Sequence, residues 1–154
     1  MQKGLPGLIH KLSRAYWKLK KPRTLGVRAM VLDETGQKVL LVEHTYISGF
    51  YLPGGGVNKF EAPETAIARE LREELGFTVT HCALFGVYSN FSECKSDTVI
   101  VLRCTGSITE NVESNEIASF GFFDMRDLPK DTSPGTRRRI QEYLAGETGA
   151  IGQW

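Results

Sequence analysis

The sequence predicts an α/β domain with a mixed β-sheet, and three observations support this prediction. Short segments rich in Val, Ile and Leu alternate with segments whose apolar residues recur every three or four positions. Glycine and proline stand at the boundaries between them. The 154 residues suffice for one domain, and 41% hydrophobic and 24% charged residues are ordinary for a globular protein. Strands and helices that intermix in this way favour the α/β class.

An N-terminal segment, residues 1–22, is expected to form a basic amphipathic helix. Its apolar side chains have helical spacing, and Pro22 would end it. Residues 1–32 carry eight basic side chains and no acid, whereas 33–154 carry 11 basic and 18 acidic ones. Three roles stay open: packing on the body or forming a homodimer, contact with an anionic membrane surface through residues 3–21, and nucleic-acid binding. The chain has no dedicated nucleic-acid motif that would favour the last role.

The main domain, residues 23–146, reads as strands and helices in a definite order. Strands are expected at 24–32 and 38–43, joined by a turn at Asp33–Gly36. A glycine triple, Gly54–Gly56, precedes a helix over Pro63–Leu75, which has proline at its start and Gly76 after its end. Strands at 79–88, 98–104 and 119–124 and a helix at 136–144 follow. The remaining residues, 147–154, are expected to be a loose tail.

Cysteine and apolar content set limits on the setting in which the protein works. Three widely spaced cysteines (Cys82, Cys94 and Cys104) exclude a disulfide framework and a CxxC zinc site. No apolar run approaches the ~18 residues of a membrane-spanning helix, and the N-terminus lacks the apolar core of a secretory signal. The cytoplasm is therefore the expected compartment.

Three carboxylates share one side of the predicted helix over Pro63–Leu75. At 100° per residue, Glu70, Glu73 and Glu74 project within about one quadrant, while Ile67 and Leu71 belong to a neighbouring apolar stripe that packs on the sheet. Crowded carboxylates repel each other, and hard cations such as Mg²⁺ or Mn²⁺ prefer oxygen ligands. An acidic helix face is often only solvated, but the glycine triple, which allows close backbone approach to a ligand, favours a binding site.

The same stretch resembles the signature of a known enzyme family. Gly55 is followed after five residues by Glu61 and after seven more by Arg69-Glu70-Leu71-Arg72-Glu73-Glu74-Leu75-Gly76-Phe77. This pattern resembles the complete signature of the Nudix hydrolases. The resemblance implies an α/β/α sandwich and the metal-dependent hydrolysis of a nucleoside diphosphate linked to another moiety. The alternative is a catalytically silent Nudix domain that binds a nucleotide, although such domains typically lose carboxylates that this chain keeps.

The resemblance also implies roles for individual residues. Glu70, Glu73 and Glu74, with the carbonyl of Gly54, would hold the metal, and Arg69 would orient the carboxylates. Glu70 is one candidate for the general base, and acids on downstream loops are the others. The residues expected at the site are, as catalytic groups, Glu70, Glu73, Arg69 and Glu116; as metal ligands, Gly54, Glu70, Glu73 and Glu74; and, as substrate-binding residues, Arg28, Glu61, Gly55, Gly56, Tyr46 and Asn90.

Substrate choice is expected to depend on residues outside the signature. Arg28 lies in a predicted strand, where it would bind a phosphate or form a salt bridge. Tyr46 and Asn90 would contact substrate or serve a structural role, and Glu93 is the second downstream acid beside Glu116. ADP-ribose, nucleotide sugars and nucleoside triphosphates, oxidised ones included, all stay open as substrates.

Overall fold

The computed structural model describes residues 23–91 and 96–154, which form seven strands and two helices. The predicted N-terminal helix and Glu93 lie outside the described residues. The elements are β1 (Arg23–Val31), β2 (Lys38–His44), β3 (Phe50–Tyr51), α1 (Pro63–Leu75), β4 (Phe77–Asn90), β5 (Ser96–Ile108), β6 (Ile117–Asp124), α2 (Pro134–Leu144) and β7 (Ala150–Gln153). Each predicted strand and helix within the described residues is present, so the expected α/β content is confirmed.

The strands form two sheets of different character. The larger sheet has the order β1-β5-β4-β7 and is mixed, because β1 runs parallel to β5 and β7 parallel to β4, whereas β4 and β5 are antiparallel. The smaller sheet, in the order β3-β2-β6, is antiparallel. The two are linked where β1 leads into β2 through the turn at Asp33–Gly36, whose Asp33 carboxylate accepts hydrogen bonds from the N–H groups of Gln37 (3.0 Å) and Lys38 (2.9 Å).

Alternating side chains divide the core into two clusters, one beneath each helix. In β2, Leu40 and Val42 join the cluster that contains the apolar stripe of α1. Val39 and Leu41 join the cluster that contains Ile140 of α2. Because successive side chains of a strand point to opposite faces, β2 is buried on both sides between the helices. This arrangement gives the layers helix, sheet and helix.

Helix α1 is terminated by Gly76, which has a left-handed backbone (φ 63°). The N–H of Gly76 donates to the carbonyl of Arg72 (3.0 Å), and its own carbonyl accepts from the N–H of Thr109 (2.9 Å). A Cβ at Gly76 would overlap the carbonyl oxygen of Glu110. Glycine is therefore required both for the helix end and for the close approach of the segment after β5.

The prediction of a loose C-terminal tail is wrong for the residues that form β7. The N–H of Gly149 donates to the carbonyl of Phe85 (2.8 Å), and β7 then pairs with the outer edge of β4 from Gly86 to Ser89. The segment is four residues long and contains Gly152, so it has none of the alternation or β-branched enrichment that predicts a strand. The segment becomes a strand only because the edge of β4 offers it unpaired backbone N–H and C=O groups.

The first turn of α2 also begins earlier than its apolar pattern indicates. Pro134 is the first residue of the helix, and the side-chain oxygen of the preceding Ser133 accepts a hydrogen bond from the N–H of Thr136 (3.3 Å). A serine cap followed by proline is a typical start signal.

In the described part of the chain, neither helix is long and apolar enough to cross a membrane.

Candidate active site

A cavity of about 720 Å³ lies at one end of the larger sheet, between the glycine triple, α1 and the loop that precedes β6. Ten of the sequence-predicted residues line it together. These are Arg28, Tyr46, Gly54, Gly55, Gly56, Glu70, Glu73, Glu74, Asn90 and Glu116, the last two of which are distant in sequence from the others. The cavity thus brings together the predicted metal ligands, two candidate bases and most of the predicted substrate contacts.

The glycine segment lies along β1 like an additional strand. Val27 donates its N–H to the carbonyl of Gly55 (2.9 Å), and Ala29 donates to that of Pro53 (2.8 Å). Gly54 has φ 135°, and a Cβ there would overlap the Val27 carbonyl oxygen. A Cβ at Gly55 would overlap the Glu70 carboxylate. The glycines therefore allow the backbone to lie against both β1 and an acidic side chain of α1.

Arg69 joins α1 to this glycine segment. Its guanidinium donates to both carboxylate oxygens of Glu61 (2.8 and 2.9 Å), to the carbonyl of Gly56 (3.1 Å) and to Oε1 of Glu70 (2.8 Å). The Arg69 hydrogen bonds, with one from the N–H of Asn58, lower the pKa of Glu61 to about 2. A planar guanidinium that holds a carboxylate at two points fixes its orientation.

Two of the predicted site residues lie outside the cavity lining. Glu61, predicted to bind substrate, is not among the residues that line the cavity, because both its oxygens face Arg69. Arg69, predicted as a catalytic group, also lies outside the lining. Both residues fit a positioning role, in which Arg69 orients the Glu70 carboxylate and holds the glycine segment against α1.

The three carboxylates of α1 differ in their surroundings. The Glu73 side chain is 62% exposed and that of Glu70 15%, whereas Glu74 as a residue is only 8% exposed. Oxygen Oε2 of Glu74 is buried and has no hydrogen-bond partner among the described residues. Within 23–91 and 96–154, no three acidic, imidazole or thiol side chains converge closely enough to enclose an ion. The carboxylates are thus a donor set of the right chemistry without a formed coordination shell.

Burial makes the negative charge of Glu74 unfavourable. Desolvation, followed by the charge of Glu70, raises the pKa of Glu74 to about 7, against weaker opposing effects of Arg28 and the Gly54 backbone. A buried carboxylate with an unpaired oxygen beside a second carboxylate is a site that a hard cation would stabilise. The residues present therefore fit a divalent metal by charge and by donor type.

Arg28 supplies positive charge on the other side of the same cavity. One guanidinium nitrogen donates to the carbonyl of Val27 (3.0 Å), and burial lowers the pKa of Arg28 from its usual value. Among the residues the structure describes, no carboxylate lies within ion-pair distance of it. An arginine of this kind keeps donors available for an anion that enters the cavity.

The loop before β6 forms the opposite wall. The carbonyl of Glu116 accepts a hydrogen bond from the N–H of Thr45 (2.9 Å), which fixes the loop beside the end of β2. The His44 ring stacks on Tyr46 with centroids 5.0 Å apart, and burial followed by the charge of Arg28 lowers the pKa of His44. Tyr46 lines the cavity and is 70% exposed. Desolvation of its hydroxyl is the main cause that raises the pKa of Tyr46 above its usual value.

His44, Asp97 and Trp154 also line the cavity, and no motif in the sequence indicates a role for them at the site. Asp97 reaches the cavity because β5 pairs in parallel with β1, so that Asp97 lies opposite Thr24. Trp154 reaches it because β7 is held on β4. Strand order and register decide both positions, and neither can be read from local spacing.

The pKa of Glu74 predicts how the stability of the metal-free protein depends on pH. The carboxyl has a pKa near 4.5 when unfolded and about 7 when folded, so its contribution to stability is full below 4.5 and is lost as the pH rises to 7. We expect the pH-dependent loss to be on the order of 3 kcal/mol, and Glu74→Gln to abolish it. Urea unfolding in EDTA at pH 4.5 and 7.5 measures it. If the free energies of unfolding of wild type and Glu74→Gln differ by the same amount at both pH values, the raised pKa of Glu74 is contradicted.

Comparisons with known proteins agree with this geometry. The family model for the NUDIX domain matches residues 22–143. An ADP-ribose pyrophosphatase of Methanocaldococcus jannaschii is 33% identical over 85% of this chain and 82% of its own length. A putative 8-oxo-dGTP diphosphatase of Bacillus subtilis is 29% identical over 80% and 81%. The crystal structure of a MutT NUDIX hydrolase from Burkholderia pseudomallei superposes with TM-score 0.68 and 24% identity over 78% of this chain and 97% of that one, which confirms the expected fold. The chain therefore belongs to the Nudix family of pyrophosphohydrolases.

Proposed function

We propose that this protein hydrolyses the pyrophosphate linkage of a nucleoside diphosphate joined to a further group, with Mg²⁺ or Mn²⁺ as cofactor. One observation carries the proposal. A buried carboxylate oxygen of Glu74 without a partner and a half-buried guanidinium of Arg28 without an ion pair among the described residues line one cavity. Such a site has a place for a cation and a place for an anion, which a metal-bound pyrophosphate supplies together.

The carboxylates of Glu70, Glu73 and Glu74, with the carbonyl of Gly54, are the residues that would hold the cation. When bound, the cation neutralises phosphate charge and lowers the pKa of a coordinated water. Arg69 keeps Glu70 in place through the 2.8 Å hydrogen bond and draws its support from Glu61. The site thereby enters the reaction with its acidic side chains already oriented, and little ordering remains to be done when substrate binds.

Arg28 would bind the phosphate that becomes more negative as the linkage breaks. Its guanidinium is half-buried and donates to the Val27 carbonyl, which leaves its other N–H groups available to the phosphate. Charge-assisted hydrogen bonds to phosphate are strong in such surroundings. The arginine would therefore both orient the pyrophosphate and stabilise the charge that develops on it.

Glu116 is our choice as general base that takes a proton from the attacking water. The Glu70 carboxylate already accepts a hydrogen bond from Arg69 and is one of the predicted metal ligands, so it is less free to face the attacking water. Glu116 is exposed, lines the cavity and makes no side-chain hydrogen bond or ion pair among the described residues. A base must lie within reach of water at the reacting phosphorus, and a free carboxylate at the cavity wall meets that condition.

The substrate classes that fit are ADP-ribose-like compounds, nucleotide sugars and nucleoside triphosphates. Relatives named as an ADP-ribose pyrophosphatase and a putative 8-oxo-dGTP diphosphatase make those two compounds the first to test. The cytoplasm stays the predicted compartment, because Cys82 and Cys104 are free thiols, as expected in reducing surroundings. Contact with a membrane surface and homodimer formation also stay predictions.

The metal assignment is tested with a matched pair of exposed acids on α1. Glu73→Gln removes a carboxylate that lines the cavity, and Glu64→Gln removes one that does not. We expect Glu73→Gln to lower kcat with Mg²⁺ at least about 100-fold, since it removes metal-bound charge stabilisation, and Glu64→Gln to have little effect. Turnover of ADP-ribose and 8-oxo-dGTP is followed by ³¹P NMR with Mg²⁺ and with EDTA.

Equal activities of the two variants would show that the metal lies elsewhere. The hydrolase proposal fails if the wild-type protein binds ADP-ribose and 8-oxo-dGTP but hydrolyses neither of them, nor any nucleotide sugar, with Mg²⁺ or with Mn²⁺. The protein would then be a silent nucleotide-binding domain.

The base assignment is tested with two acids of the same loop. Glu116→Gln should lower kcat about 10²- to 10⁴-fold, the usual contribution of general base catalysis, and leave the Mg²⁺ concentration for half-maximal activity unchanged. Glu113→Gln, an exposed acid outside the cavity lining, serves as the control. If Glu116→Gln retains activity close to that of Glu113→Gln, the base is another group, with Glu70 next in order.

The phosphate role of Arg28 is tested by replacing it with methionine, which keeps the apolar stem. We expect KM to rise about 10- to 100-fold, because a hydrogen bond to a charged group contributes about 1.5–3 kcal/mol, while Tm stays the same or rises as an unpaired buried charge is removed. Arg103→Met, an exposed arginine on β5, is the control. An unchanged KM with a large fall in Tm would show a structural role for Arg28 instead.

A further inference from the structure

The cavity extends well beyond the residues that the reaction uses. Thr24 and Arg28 lie on the same face of β1, because side chains alternate along a strand. They are four residues apart, or about 13 Å along the strand. At the level of Thr24, Asp97 of β5 and Asn90 of β4 are register partners, and both line the cavity. One end of the cavity therefore carries Arg28 and the predicted metal ligands, and the other carries Asn90 and the Asp97 carboxylate, whose Oδ1 accepts a hydrogen bond from the Thr24 hydroxyl.

Trp154 stands at this second end. The register that pairs Ser89 with Gln153 continues, and the N–H of Trp154 donates to the carbonyl of Ser89 (2.9 Å). Trp154 is thereby placed beside Asn90 and is one of the residues that line the cavity. A tryptophan that is partly exposed at a cavity wall offers a large rigid aromatic surface with little rotamer freedom to lose.

A buried polar cluster holds Trp154 where it is. Arg139 is 2% exposed, and its guanidinium lies 3.8 Å from the centre of the Tyr88 ring and 5.6 Å from that of Trp154. It donates to Glu142 (2.5 Å) and to the carbonyl of Gln153 (3.2 Å). The Tyr88 hydroxyl donates to the same Glu142 carboxylate (2.8 Å).

The first turn of α2 completes the seat of the indole ring. A Cβ at Gly135 would overlap Nε1 of Trp154, so that only glycine leaves room for the ring. Burying a charged pair is an expensive way to stabilise a fold, since desolvation offsets most of the attraction. The contacts of Arg139 nevertheless connect α2 to the Gln153 carbonyl of β7 and to the indole ring.

We infer that Trp154 is a specificity-determining residue that forms the aromatic wall for the nucleobase of the substrate, with Asp97 and Asn90 facing the polar edge of that base. This inference rests on the proposed function, which puts the pyrophosphate at the Arg28 end. A planar ring against tryptophan, with an acceptor-only carboxylate and an amide beside it, suits a base that presents N–H donors along one edge. Guanine has such an edge, and we take it as the test case.

Fluorescence tests the wall directly. The chain has two tryptophans, so Trp17→Phe leaves Trp154 as the single emitter. We expect guanosine monophosphate, which has no pyrophosphate to hydrolyse, to quench this emission at saturation, and inorganic phosphate to leave it unchanged. Equal quenching by both, or by neither, would overturn the inference. This measurement needs no variant at position 154, so it does not depend on whether such a variant folds.

Kinetics tests the energetic contribution. Trp154→Ala should raise KM about 10-fold for a guanine-bearing substrate, which is within the range measured for stacking on one aromatic ring. Trp154→Phe should bring KM most of the way back to the wild-type value. Inhibition by inorganic pyrophosphate, which has no base, should be the same in all three proteins. A KM unchanged in Trp154→Ala, or a parallel loss of pyrophosphate inhibition, would overturn the inference.

The two proposals fail in different ways. Absence of turnover together with selective quenching by guanosine monophosphate would leave the base-binding wall in place and reject the hydrolase. Normal turnover without selective quenching would support the hydrolase and reject Trp154 as the base-binding wall.

Discussion

The site depends on the contact by which Arg69 joins α1 to the glycine segment. A single guanidinium binds both oxygens of Glu61, the carbonyl of Gly56 and one oxygen of Glu70. The glycine segment is in turn hydrogen-bonded along β1. Helix, loop and sheet are therefore connected through one side chain, and an error in its position would displace the Glu70 carboxylate and the loop together. Lysine could not make the same contacts, because its three donors are on one nitrogen, whereas the guanidinium presents five donors on three nitrogens in one plane.

A second constraint is the balance of buried charge around that framework. Burial and the charge of Glu70 favour protonation of Glu74, while the half-buried Arg28 has only a carbonyl as its hydrogen-bond partner. Neither arrangement favours the stability of the free protein. In the proposed function both gain a partner of opposite charge, because a cation and a phosphate then occupy the cavity. Stability given up at a site of this kind is typical of a binding site prepared for its ligand.

The far end of the cavity follows another principle. There the position of one aromatic residue depends on a parallel strand added to the edge of β4 and on a buried ion pair beneath it. We propose that reaction chemistry and substrate selection are carried by different parts of the fold, the first by the signature helix and the glycine segment and the second by β7 with α2. On this proposal, changes in β7 alter substrate choice without disturbing the carboxylates.

The sequence by itself determined the α/β class and α1 with both its ends, and it predicted most of the residues that line the candidate site. These features are local: the proline and glycine signals, the 3.6-residue period and the spacing from Gly55 to Phe77 all act within one short segment. It also placed Glu116 and Arg28 among the candidates, and the structure brings both to the cavity.

Only the tertiary structure decided that Glu61 faces Arg69 and not the cavity, that the residues before Trp154 form a strand, and that Asp97 lies opposite Thr24. The physical reason is that strand pairing and buried ion pairs are made between residues far apart in the chain. A four-residue segment such as β7 has no strand preference of its own and becomes a strand because β4 offers unpaired backbone groups along its edge.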